Sequence, residues 1–303
     1  AEANEGAIKI ARKYHYTKGN KGRYRMIVTT GSFHGRTMMT VAAGDSEQAR
    51  KGFDPLPDGF DRVAFGNLNE LRAAVGPETA GILVEPITGE GGIRAASPEY
   101  LQGLRKVADE FDLILCYDEI QCGMGRTGKL FAHEWSGAAP DVMTLAKGIG
   151  GGFPMAAILA NERAAAPLVA GSHGTTFGGN PLAMACGNAV LDVMLAPGFL
   201  ARVEKTGTYL RQKLGAVVAK HPTVLAELRG AGLMLGLKCV VPAGEMMDRL
   251  REAGLLTVSA NDNVVRILPP LIVGEAECDQ AVAIVDKVAA AWPAAKSAGK
   301  SAA

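Results

Sequence analysis

The chain has 303 residues, is 48% hydrophobic and carries 38 Gly and 15 Pro, enough apolar material for a large core in one or two domains. Its 32 Lys and Arg balance 31 Asp and Glu for a net charge of +1, so no overall field exists to hold nucleic acid or an anionic membrane. The longest clean apolar stretches, such as 155–160, fall short of the ~18 residues that a spanning helix needs.

In chain order, the sequence starts with a helical pattern, Ala7, Ile8 and Ala11 recurring on one side, without the charged-then-apolar layout of a signal peptide. From Arg25 to about Leu195, short β-rich apolar runs alternate with helical patterns, the rhythm of βαβ units and a mainly parallel sheet. The runs are 26–29, 82–84, 113–117, 142–145 and 158–160. Between two of them, Ser97 is placed to cap a helix with Pro98 at its first position, and Leu101, Leu104, Val107, Ala108 and Phe111 share its apolar face. Beyond Pro197 a long amphipathic helix opens a second unit. Strand-like segments follow at 224–228, 233–240, 255–258 and 264–268, with helices near 246–253 and 275–291. The expectation is an α/β chain with a large doubly wound domain over 1–196, a smaller C-terminal α/β domain over 197–295 and a disordered tail over 296–303.

Five cysteines (Cys116, Cys122, Cys186, Cys239, Cys278) are scattered without a CxxC pair, which argues against a zinc knuckle and a disulfide framework. The five histidines show no metal spacing either, so no metal is expected. The protein reads as soluble, reduced and cytoplasmic, without a membrane partner.

In a sheet buried on both faces, ligands gather at the carboxyl ends of the strands. The polar residues there are 31–36, 85–90, 118–121 and Lys147. Lys147 stands between an apolar run and the glycine-rich 148–152, where it is a loop lysine or a partly desolvated amine with a lowered pKa, able to form a Schiff base. Asp118 ends another run, as a turn cap or as a carboxylate that keeps a pyridinium nitrogen protonated. The segment 123–128 matches GxGxxG, but its glycines begin five residues beyond Asp118 and no long helix follows, so the dinucleotide reading fails on context.

Taken together, Asp118-Glu119-Ile120-Gln121, the 123–128 glycine loop and Lys147 resemble the signature of class III pyridoxal-phosphate-dependent aminotransferases. Phe33-His34-Gly35-Arg36-Thr37, Glu85-Pro86-Ile87-Thr88-Gly89-Glu90-Gly91-Gly92 and Thr175-Thr176-Phe177-Gly178-Gly179-Asn180-Pro181-Leu182 look like further blocks of that family, in family order. The resemblance implies the fold type I of these enzymes and pyridoxal 5'-phosphate as cofactor. It implies that Lys147 carries the cofactor, with Phe33, Asp118, Glu119, Ile120, Gln121 and Thr176 around it. Phe33 lies against the ring, Asp118 pairs with the ring nitrogen, Gln121 bonds the 3'-oxygen, and Thr176 reaches the phosphate of a partner subunit's cofactor. Arg36 takes the substrate α-carboxylate and Thr175 lies near substrate. Glu90 and Arg266 form a switchable pair in which Arg266 binds the glutamate or 2-oxoglutarate carboxylate. Ordinary turn bonding is the alternative for Thr175 and Glu90.

Within the family, the 33–36 block, the Thr-Thr-Phe block and the 128–134 stretch look most like the acetylornithine and ornithine enzymes. The implied reaction is ping-pong transfer from N-acetylornithine to 2-oxoglutarate, as in arginine biosynthesis, in a homodimer with shared sites. Ornithine, succinylornithine and 4-aminobutyrate are rival donors. The family's phosphate loop precedes Ala-Glu-Ala-Asn-Glu, with which this sequence begins, so the expectation is a piece of a longer functional protein, or a remnant that binds no cofactor.

Overall fold

A computed structural model of the chain describes residues 1–293, and the tail expected over 296–303 lies outside the described residues. Six strands form the main sheet: β1 (Arg25–Thr29), β2 (Phe60–Val63), β3 (Thr79–Val84), β6 (Ile114–Asp118), β7 (Val142–Leu145) and β8 (Ala157–Ala160). Their order is β2-β1-β3-β6-β7-β8, every neighbouring pair being parallel except β7 and β8. Two short strands, β4 (Ile87–Thr88) and β5 (Arg94–Ala95), make a hairpin beyond β3.

The alternation of side chains in this sheet builds two apolar layers. Met26, Val28, Leu83, Ile114 and Cys116 face the helix Glu2–Thr17 through its Ile8, Ile10 and Ala11. Ile27, Ile82, Val84, Leu113, Leu115 and Tyr117 face the helix Pro98–Glu110 through Leu101, Leu104 and Val107. That helix starts as its sequence dictates: Ser97 accepts the Tyr100 N–H and Pro98 fills the first position.

The second sheet is antiparallel, in the order β11 (Val258–Ala260), β12 (Val264–Ile267), β10 (Met234–Cys239), β9 (Leu225–Ala231). Its buried residues pack with the helices Phe199–Lys220 and Glu275–Ala290 around Leu210, Leu214, Leu235, Leu237 and Val285. The strand expected at 255–258 starts only at Val258, because Gly254 at φ +92° ends the preceding helix and the Leu255 N–H returns to the Leu250 carbonyl. The 123–128 glycine loop turns out to be the seam between the sheets. Arg126 donates to the carbonyls of Leu233 and Pro269, and Gly232 lies against Thr127 with no room for a side chain. The five cysteines are free, all but Cys186 buried.

Candidate active site

Four parallel strands deliver their carboxyl ends to one edge of the main sheet. Phe33 and His34 follow β1, Glu85 follows β3, Asp118 ends β6, and Lys147 follows β7 across one residue.

Asp118 is 2% exposed and saturated with donors. Its Oδ2 accepts from Asn4 Nδ2 at 2.7 Å and His34 Nδ1 at 2.8 Å, and its Oδ1 accepts the Ile120 N–H at 3.0 Å. The carboxylate can only accept, so His34 carries its proton on Nδ1. Asn4 also donates to the His34 carbonyl at 2.7 Å and accepts from the Thr144 hydroxyl at 2.8 Å. One helix, one loop and two strands thereby fix the direction of a single carboxylate. Asn4, His34, Thr144 and Glu85 are the residues that sequence reasoning missed as parts of this cluster. His34 and Glu85 did carry a signal, because each lies just past the end of an apolar strand.

Lys147 has φ +48°, a left-handed conformation that a residue with a Cβ adopts only under constraint from its surroundings. It opens a tight turn, Lys147–Gly150, that Gly151 closes at φ +57°. The side chain faces a cavity of about 670 Å³ that Ile120, Gln121 and Met124 also line. The residue is exposed by surface area, yet the packing around its amine removes part of that group's hydration. Desolvation therefore moves its pKa below the usual lysine value, with Arg266 adding to the shift and Asp118, Glu85 and Glu90 opposing it. Among the described residues the Lys147 amine makes no hydrogen bond or ion pair, as a group reserved for a ligand would not.

Gln121 lies on Gly89, where no Cβ fits, and its Nε2 is a buried donor without a partner among the described residues. Arg266, on β12, is 8% exposed and pairs with Glu90 at 3.0 Å while donating to Gln121 Oε1 at 3.4 Å. Arg36 is exposed, 5.8 Å above the Phe33 ring, and makes no hydrogen bond or ion pair among the described residues. Glu119 is committed elsewhere: its carboxylate accepts the Ala132 and His133 N–H groups and contacts the His133 ring at 2.7 Å. Ile120 takes part through its N–H to Asp118 and as a wall of the cavity. Thr175 and Thr176 are exposed, and Thr175 lines a different cavity with Glu2, Ile158 and His173. Neither threonine lines the cavity that Lys147 faces.

The donor set fits pyridoxal phosphate. A buried carboxylate suits a ring nitrogen cation, an orphaned amide N–H suits a ring oxygen anion, and an unpaired, desolvated amine suits an aldehyde carbon. Among the described residues no group of three His, Cys, Asp or Glu could hold a metal ion.

Residues 1–289 match the family model for aminotransferase class-III. The chain is 55% identical over 291 residues to acetylornithine aminotransferase 1 of Bradyrhizobium diazoefficiens, covering 96% of this chain and 72% of that protein. Acetylornithine aminotransferase of Agrobacterium fabrum is 53% identical over 294 residues, covering 97% and 74%. Among solved structures, the ornithine aminotransferase of Toxoplasma gondii ME49 superimposes with a TM-score of 0.91 at 30% identity, covering 96% of this chain and 70% of that one.

Proposed function

The chain belongs to the class-III aminotransferase family, and from that premise we propose that it moves the terminal amino group of N-acetylornithine to 2-oxoglutarate, with pyridoxal phosphate held by Lys147. The observation that carries the reading is Lys147 itself: partly desolvated, without a hydrogen bond or ion pair among the described residues, in a left-handed turn, facing Gln121 across the cavity and within the field of Asp118. The names of the relatives favour the acetylated donor over ornithine.

When bound, the cofactor supplies an electron sink for the carbon that loses its proton. Lys147 would hold it covalently through Nζ, Asp118 would keep the ring nitrogen protonated, Gln121 would donate to the ring oxygen, and Phe33 would cover one ring face. Once its Nζ is free, Lys147 would accept the proton from the substrate carbon bearing the transferred amino group and would pass it from Nζ to the cofactor carbon that receives the nitrogen. Its lowered pKa leaves a larger share of the amine neutral and able to do so. Arg36, free of ion pairs, presents a planar fork to the substrate α-carboxylate. Arg266 would take a carboxylate of 2-oxoglutarate after Glu90 swings away. With Glu90 in place the arginine's charge is compensated, which suits a donor whose reacting end carries no carboxylate.

The same reading makes 1–196 the cofactor domain and 197–295 the small domain, places the enzyme in arginine biosynthesis, and joins two copies into a homodimer. Support for the dimer comes from Phe177 (80% exposed), Leu182 (61%) and Leu195 (59%), large apolar side chains left exposed in the Thr175–Thr176 turn and along the helix that follows it. Thr176 would then serve the partner's cofactor phosphate. A cytoplasmic location suits five unpaired cysteines.

The test is to add pyridoxal phosphate to the full chain, reduce with borohydride and map the adduct by mass spectrometry, then screen N-acetylornithine, ornithine, succinylornithine and 4-aminobutyrate as donors. An adduct at Lys147 and fastest turnover with N-acetylornithine are expected. An adduct on another lysine, or none, refutes the site.

A further inference from the structure

Glu85 follows β3, is 1% exposed, and has no part in the reaction described above. Its Oε2 accepts the Phe33 N–H at 3.1 Å and its Oε1 accepts the Gly89 N–H at 3.3 Å. The two amides belong to different loops, one after β1 and one after β3. Those loops also meet where Gly91 lies on the Gly31 carbonyl, a contact that leaves no space for a side chain.

Both amides sit next to groups that face the site. Phe33 carries the ring that lies beneath Arg36. Gly89 supports the Gln121 side chain, and the residue after it, Glu90, holds Arg266. Burial and the neighbouring Asp118 charge push the Glu85 carboxyl well above the usual carboxylate range, partly offset by the two amides.

We propose that Glu85 is a positioning residue: by accepting one amide from each loop, a single buried side chain sets Phe33 and the Gln121–Glu90–Arg266 group relative to each other. The proposal rests on the roles given above to those four residues. Its chemical content is that ring stacking and recognition of the 2-oxoglutarate carboxylate by Arg266 are tied to one anchor, so that one substitution moves both.

Two substitutions test it. Glu85→Leu removes both acceptors at similar volume, while Glu85→Gln keeps one oxygen and so can hold one loop. Hydrogen exchange followed by mass spectrometry reads the anchoring itself. Peptides containing Phe33 and Gly89–Glu90 are expected to exchange faster in Glu85→Leu, with the β1, β3 and β12 peptides still protected. In the cofactor-loaded enzyme, KM for both N-acetylornithine and 2-oxoglutarate should rise about tenfold while kcat changes less, the size of effect that losing one buried hydrogen bond in each loop gives.

Unchanged exchange in both loops overturns the proposal, and so does faster exchange spread over the whole sheet or a rise in only one of the two KM values. Should Glu85→Leu fail to fold, Glu85→Gln decides: faster exchange in one loop supports the anchor, and none overturns it. The exchange measurement needs neither cofactor nor substrate, whereas a missing Lys147 adduct counts against the functional reading alone.

Discussion

His34 Nδ1 lies 2.8 Å from Asp118 Oδ2, with both side chains buried and the Asn4 amide on the same oxygen. The imidazole therefore aims the carboxylate rather than handling substrate. Replacing it by leucine leaves Asp118 with two donors instead of three. Because hydrogen bonds to charged groups contribute ~1.5–3 kcal/mol, kcat of His34→Leu should fall about tenfold to a hundredfold with the Lys147 adduct retained. His34→Gln, which can still donate, should recover part of the loss. The ring-nitrogen resonance of ¹⁵N-labelled pyridoxal phosphate checks the cause, since it should move toward the unprotonated position in the leucine variant only.

Asp118→Asn removes the charge and keeps the shape. Turnover should drop ~10²-fold or more with KM nearly unchanged, because the carboxylate acts on charge developing in the transition state rather than on bound substrate. Steady-state kinetics decide it, and unchanged turnover would reduce Asp118 to a turn cap.

Lys147→Ala and Lys147→Gly should both lose the borohydride-stable adduct, and they should differ in stability. At φ +48° a Cβ is strained and glycine is not, so the glycine variant should unfold at higher denaturant, by about 1 kcal/mol relative to alanine. Equal midpoints would mean that the turn relaxes without cost.

His15 supplies the acid sensitivity of the fold. Its Nε2–H donates to the Ala80 carbonyl at 3.0 Å in the interior, and desolvation, helped by the Arg23 charge, lowers its pKa to about 4. Between that value and the ordinary ~6.5, the unfolded chain binds a proton that the folded chain refuses, so stability rises with pH across this window. Acidification from 6.5 toward 4 should cost up to about 3 kcal/mol through this group. Denaturant unfolding of wild type and His15→Gln at both ends of the window tests it; the variant should show a flatter dependence.

Complementation tests the shared site. Lys147→Ala and Thr176→Glu chains, each inactive alone, should regain activity when mixed, because a mixed dimer has one site with both lesions and one with neither. If subunit exchange occurs and no activity returns, Thr176 serves its own chain.

The alternation of apolar runs with helical patterns was enough to read a mainly parallel α/β sheet, since a strand buried on both faces must be apolar throughout. The helix Pro98–Glu110 was legible down to its cap, because Ser97 and Pro98 act within one turn of chain. β2 escaped notice: Phe60-Asp61-Arg62-Val63 is an edge strand, and half-buried edges tolerate charges that mask the pattern. The strand drawn at 255–258 erred for a local reason, a glycine in the left-handed region that lets the helix end swallow Leu255.

At the site, residue type and strand-end position singled out Lys147 and Asp118 from sequence alone, because a parallel sheet exposes functional groups at one edge, while the role of Gln121 came only through the resemblance. What no local pattern holds is which distant groups meet there. Asn4 reaches Asp118 across 114 positions, and Arg266 reaches Glu90 across 176. Glu119 sits beside Asp118 in the chain yet turns to His133 instead. Such choices follow from the burial of polar atoms: each must find a partner within hydrogen-bonding distance once water is removed, and only the packed fold decides which partner lies there.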